Sequence, residues 1–201
     1  MTLKHQLVLL IIVFGVLFSA CEEFVPVPKP RAYPRVVYPQ KEYVPFNESY
    51  CGFTFEMPKY AMIERDTTFF EEAAKSDCWF NMKIPDLNAQ VHCSYYPIGS
   101  RARYDELVQD AFTMATKHNI KASYIEEDPV HRPEDHIHGM IFRIEGPAAS
   151  SYQFFLSDST SNFFRGALYF ETQAKPDSLA PVLKFVQKDI DHLVETLKWE
   201  K

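Results

Sequence analysis

The sequence predicts an α+β fold: an antiparallel sheet of about six to seven strands with two amphipathic helices packed on one face, following a signal peptide and a proline-rich tether. Three observations predict it. From Gly52 onward, short stretches alternate apolar and polar residues with the period of two expected of a half-buried strand. Two longer stretches repeat apolar residues at helical spacing. The connections are short and polar, as in "SDSTSN" at 157–162, which suits antiparallel neighbours, because a parallel pair needs a crossover of about a dozen residues or more. The chain divides into residues 1–20 as a lipoprotein signal peptide, 21–50 as a lipidated tether and 51–201 as a single α+β domain.

The first segment places Lys4 before an apolar run from Leu7 to Phe18, which ends in the small residues Ser19 and Ala20. Those are the parts of a secretory signal. As a helix the run covers roughly 18 Å, well short of the roughly 30 Å hydrocarbon core that a spanning helix crosses. Phe18-Ser19-Ala20-Cys21 resembles the bacterial lipobox, with Phe18 where Leu is usual. Cys21 is therefore the candidate site of lipid attachment, and the competing reading is an ordinary signal with a chance cysteine. Each buried methylene of an acyl chain contributes about 0.8 kcal/mol, so two or three chains make a lasting anchor.

The tether follows from six prolines between Pro26 and Pro45, each of which fixes φ and lacks an amide donor. In polyproline geometry residues 22–50 reach roughly 80–90 Å. The segment is either a semi-rigid spacer or, through the alternating bases and tyrosines of "PKPRAYPRVVYP", a strip that docks on a partner or on the domain itself.

Cleavage before Cys21 removes Lys4 and no acid, taking the formal charge from −6 to −7. Such a body repels a phosphate backbone, and no basic stripe follows residue 50, so nucleic-acid binding is excluded. The 17 Phe and 11 Tyr supply a large core.

In the domain, "FTFEMP", "AMIERD", "WFNMKIP", "AQVHCSYYPI", "GMIFRIEG", "SYQFFLS" and "FFRGALYFET" read as strands. The first helix carries the stripe Tyr104, Leu107, Val108, Ala111, Phe112 and Ala115. The second starts near Asp177 or Ser178 and carries Leu179, Val182, Leu183, Val186, Ile190, Leu193, Val194 and Leu197, with Pro181 expected in its first turn. Cys51, Cys78 and Cys93 alternate in step with apolar neighbours and are expected to face inward. Two readings stand for them: Cys78 and Cys93, either side of the turn "PDLN", form a disulfide, or all three are buried thiols.

Little catalytic chemistry is legible: there is no nucleophile elbow, no Cys-x-x-Cys motif and no glycine-rich phosphate loop. "HRPEDHIHG" gathers His131, Glu134, Asp135, His136 and His138. His136 and His138 at i and i+2 share a strand face and could hold zinc with a third ligand, whereas loop histidines beside prolines and acids are ordinarily solvated; metal: none is the expectation. In "SNFFRGALYF" the outward row Phe163, Arg165, Ala167 and Tyr169 is either shielded by a helix or tether or binds a partner, and Arg165 has Glu145 and Glu171 as candidate ion-pair partners.

Read together and in order, "PKPRAYPRVVYP" after the lipobox cysteine, "CGFTFEMPKYA", "CWFNMKIPDLNAQVHCSY", "EGPAASSYQFFLSDST" and "FFRGALYF" resemble the gliding-motility lipoprotein GldD family of the Bacteroidota over nearly the whole mature chain. The order of elements also resembles the PsbP-like arrangement. The GldD resemblance implies an outer-membrane lipoprotein, palmitate-bearing at Cys21, with the periplasmic face of the cell envelope as its expected place. It implies a non-enzymatic protein without cofactor or catalytic residue, whose partners are other gliding-motility lipoproteins and type IX secretion components. It further implies protein–protein interaction roles for Lys29, Arg31, Tyr33, Arg35 and Arg165. A competing class is an envelope lipoprotein that binds a small ligand or peptidoglycan fragment in a cleft between sheet and helices. A metal-dependent hydrolase built on His131, His136 and His138 ranks last.

Overall fold

A seven-stranded, wholly antiparallel sheet organises the chain, in the order β3-β6-β7-β11-β10-β9-β8. Its strands are β3 (Met62–Arg65), β6 (Trp79–Ile84), β7 (Ala89–Pro97), β8 (Tyr124–Arg132), β9 (Ile137–Glu145), β10 (Ser150–Ser157) and β11 (Asn162–Phe170). A smaller sheet, β1-β2-β12, joins β1 (Tyr43–Phe46), β2 (Phe53–Pro58) and β12 (Lys198–Trp199), and β4 (Thr68–Phe69) pairs with β5 (Glu72–Ala73). The helices are α1 (Arg101–Thr116) and α2 (Pro176–Thr196). The computed structural model describes residues 35–46, 48, 51–65, 68–69, 72–73, 78–172 and 176–200.

The two helices lie on opposite faces of the large sheet, which corrects the expectation of a single helical face. Val182, Val186, Ile190 and Leu193 of α2 pack with Phe80, Phe154, Leu156 and Phe164, while Leu107, Ala111 and Ala115 of α1 pack with Trp79, Phe142, Phe155 and Phe163. Adjacent strand residues point to opposite faces, so the pairs Trp79-Phe80, Phe154-Phe155 and Phe163-Phe164 deliver one aromatic to each core. Burying each Phe contributes about 1.5–3 kcal/mol, and neither face could remain wet. The α2 side also takes in the small sheet, where Phe46, Phe53 and Phe55 stack on Phe80 and Phe164 with centroids 4.5–6.3 Å apart.

Local chemistry sets the boundaries. Ser100 caps α1 through its hydroxyl, which accepts from the Arg103 amide at 3.2 Å. Arg132 closes α2 by donating to the carbonyls of Val194 (2.7 Å) and Leu197 (2.9 Å). Pro181 falls beyond the first turn of α2, because the helix already begins at Pro176. Two hairpins share one turn design: Pro85–Leu87 and Pro133–Asp135 are single 3-10 turns that end on a left-handed residue, Asn88 (φ 47°) and His136 (φ 54°). Asn and His are among the side chains that tolerate this conformation. At the β10–β11 turn the Asp158 carboxylate accepts the amides of Thr160, Ser161 and Asn162 at 2.7–2.9 Å. Burial alone would raise Asp158, but those donors outweigh it and hold the carboxyl below its ordinary value.

Two further expectations are corrected. The tether does not run to residue 50, since Tyr43–Phe46 pairs with β2 in the register Phe46↔Phe55 and Val36 packs against the core. Pro45 is tolerated because β1 is an edge strand. Cys78 bonds Cys51, with Cα atoms 5.3 Å apart, and Cys93 remains a buried thiol. Register explains this. Trp79 faces Ser94 and Phe80 faces Cys93, so Cys78, just before β6, lies two ladder positions from Cys93. All three cysteines do face inward, at 1–4% exposure, and burial pushes the Cys93 thiol well up, away from thiolate chemistry.

Three outcomes follow. The disulfide closes a loop of 27 residues, so Cys51→Ala should cost about 3.5 kcal/mol in urea unfolding under oxidising conditions on the chain-entropy relation. Cys93 should resist alkylation until the protein unfolds. A depressed carboxyl stabilises the fold above the ordinary carboxylate range and loses that contribution as pH falls through the folded value. The stability gap between wild type and Asp158→Asn should therefore narrow from pH 7 to pH 3.

Candidate functional site

Two regions concentrate polar side chains against aromatic ones. The first straps the leading segment to α2. Asp189, fully buried, stands on the apolar arc of the helix between Val186 and Ile190. Its carboxylate takes an ion pair from Lys41 and hydrogen bonds from the Tyr43 hydroxyl (2.9 Å) and the Tyr60 hydroxyl. The Lys41 ammonium also donates to the Phe185 carbonyl at 3.1 Å and sits 3.8 Å from the centre of the Phe185 ring. Tyr38 packs on the same ring at 4.7 Å, and Tyr43 stacks on His192 at 3.8 Å. Burial, then the bond to Asp189, pushes the phenols of Tyr43 and Tyr60 well above their ordinary range. A buried carboxylate is costly unless charge and hydrogen bonds compensate it, and here three groups from the leading segment and the β2–β3 turn do so.

The second region is a cleft of about 620 Å³ between α1, with the 3-10 turn Lys117–Ile120 after it, and strands β6, β7, β11 and β10. Arg165 reaches across β7, donating to the Ser94 hydroxyl (3.0 Å) and the Tyr96 hydroxyl (2.9 Å) and touching the Met114 sulfur at 3.1 Å. Its strand register places it directly opposite Ser94. Trp79 and Tyr96 form an edge-to-face pair at 5.3 Å in the same wall. Burial lowers the His118 imidazole, leaving Arg165 and Lys117 as the cleft's standing positive charges.

The expected residues distribute unevenly over these regions. Arg165 pairs with neither Glu145 nor Glu171, and α1 covers the outward row of β11, burying Phe163 completely. Arg35 is exposed. Cys21, Lys29, Arg31 and Tyr33 lie outside the described residues. His131 and His138 are cross-strand partners with Nδ1 atoms 3.1 Å apart, whereas His136 sits in the turn and not on their strand face. Among the described residues no three His, Cys, Asp or Glu side chains converge as metal ligands, and no helix is long and apolar enough to cross a membrane. Lys41, Tyr43, Tyr60 and Asp189 escaped the sequence reading. One signal was available: an acid inside the apolar arc of an amphipathic helix demands a partner.

Sheet, strap and cleft together define an α+β module with a preformed concave site and its leading segment bound along one helix. A family model, gliding motility lipoprotein GldD, matches residues 23–199, and the chain belongs to that family of gliding motility lipoproteins. Among solved structures, the solution structure of cyanobacterial PsbP (CyanoP) from Synechocystis sp. PCC 6803 is similar at a TM-score of 0.45 and 7% identity, covering 80% of this chain and 94% of that one. No curated protein matches.

The strap gives a direct test. Asp189→Ala should cost about 3 kcal/mol, since it leaves the strap's cation and hydroxyls uncompensated, and Lys41→Met about 2 kcal/mol, both read by urea unfolding. In either variant, amides of residues 36–46 should lose hydrogen-exchange protection ahead of those in β7 and β11.

Proposed function

We propose that the protein is an outer-membrane lipoprotein on the periplasmic face, anchored by acyl chains on Cys21. It acts as a non-enzymatic component of the gliding motility and type IX secretion machinery by binding other envelope proteins. The observation that carries this reading is the family match from residue 23, which begins two residues after the lipobox cysteine. Lipid on Cys21 would make the start of the mature chain and the membrane surface coincide. The family supplies no catalytic residue to transfer, which favours a binding role. Lys29, Arg31, Tyr33 and Arg35, which precede the strapped segment, supply the cations and aromatics that partner surfaces use as hot spots.

Labelled palmitate should enter the wild-type protein and not Cys21→Ser, which should leave the membrane fraction. Cross-linking in intact cells should recover other motility lipoproteins or secretion components, and deletion of the gene should impair motility, secretion or both. Recovery of lipid or glycan alone, or a Cys21→Ser protein that stays membrane-bound and active, would overturn the proposal.

A further inference from the structure

We propose that the cleft beneath α1 binds a small amphipathic anion, with its acidic head on Arg165 and its apolar body along Trp79, Tyr96 and Met114. This site is separate from the protein-binding role above. The first observation is charge. Although the chain is acidic overall, at −6, no Asp or Glu lines the cleft, while Arg165 and Lys117 both do.

The second observation is a missing counter-ion. The comparable part-buried cations each hold a carboxylate: Lys41 has Asp189, Arg132 has Asp135, and Arg143 has Asp128 and Asp191. Arg165 touches only neutral groups among the described residues, namely the two hydroxyls and the thioether given above and the Tyr96 ring, 5.1 Å from its guanidinium carbon. A guanidinium is planar, always charged and matched in shape to a carboxylate, sulfonate or phosphate. Held by Ser94 and Tyr96, it is already oriented, so a ligand need not immobilise it.

A third observation comes from the cleft's other wall. Gln153, paired with Ala167 across the strands, lines the same cavity and offers it a neutral amide. The volume, about 620 Å³, falls in the range of pockets that enclose a small organic molecule. Aromatic walls with a few fixed polar groups suit a ligand that is apolar at one end and acidic at the other.

Two probes of one shape separate charge from hydrophobicity: naphthalene-2-sulfonate and the uncharged naphthalene-2-sulfonamide. Both are titrated by saturation-transfer NMR against the full chain in lipid nanodiscs, with protein-free discs subtracted. The sulfonate should bind saturably and at least tenfold more tightly than the sulfonamide. Arg165→Gln should reduce it to the level of the sulfonamide, and Ala167→Phe, which fills the cleft from β11, should abolish binding of both. Arg165→Lys should recover part of the preference. If Arg165→Gln does not fold, Ala167→Phe and Lys117→Gln decide the matter, the latter weakening the sulfonate alone. Absence of saturable binding, equal affinity for the two probes, or sulfonate binding that survives both Arg165→Gln and Ala167→Phe would overturn the proposal.

Discussion

Everything in this architecture depends on burying both faces of the central strands. Phe163 and Phe164 are consecutive, fully buried and directed to opposite sides of the sheet. One strand face in water would expose a row of aromatics at a cost of about 1.5–3 kcal/mol each. The second helix is therefore a requirement of β10 and β11 and could not have been placed beside the first. With α2 and the small sheet on one side and α1 on the other, each layer of the molecule follows from that one constraint.

The two faces are nevertheless built differently. On the α2 side the contacts are dense and aromatic, and two carboxylates of the helix are matched: Asp189 by Lys41 and two phenols, Asp191 by the Tyr152 hydroxyl at 2.5 Å and by Arg143. On the α1 side the helix contributes smaller residues, with alanines at 111 and 115 facing the sheet. Small side chains toward the C-terminal end of α1 leave room over Ser94, Arg165 and Ala167, and this room is the cleft. The difference between a filled interface and a hollow one thus comes down to which side chains the helix offers. Gly166 belongs to the filled side, where the Phe154 ring occupies the place a side chain would take.

Much of the fold was legible because alternation and helical spacing are direct consequences of backbone geometry. β2, β6, β7, β10 and β11 lie where alternating apolar residues put them, and the stripes of α1 and α2 face the cores. The paired aromatics carried the information that both faces are covered, yet a reading that seeks a single apolar face discards it. β8 was illegible for another reason: as an edge strand it tolerates Glu126, Glu127, Asp128 and Pro129, none of which announces a strand. β1 was hidden among prolines and β12 has two residues, too few for any period. The disulfide partner was illegible because inward-facing cysteines leave connectivity open, and only the β6–β7 register decides it. Arg165 stood out as the charge in an outward aromatic row, whereas the hydroxyls that hold it belong to a neighbouring strand distant in sequence.

A sheet covered on both sides also partitions the consequences of sequence change. Side chains under α1 and side chains under α2 form two clusters of buried residues with the backbone of the sheet between them. Free-energy changes at sites more than about 7–10 Å apart with no shared partner combine by simple addition. The hollow face can drift in shape and chemistry from one species to the next while the filled face, with its disulfide and its strap, keeps the polypeptide folded. Such independence lets a single scaffold acquire new specificity without passing through unstable forms.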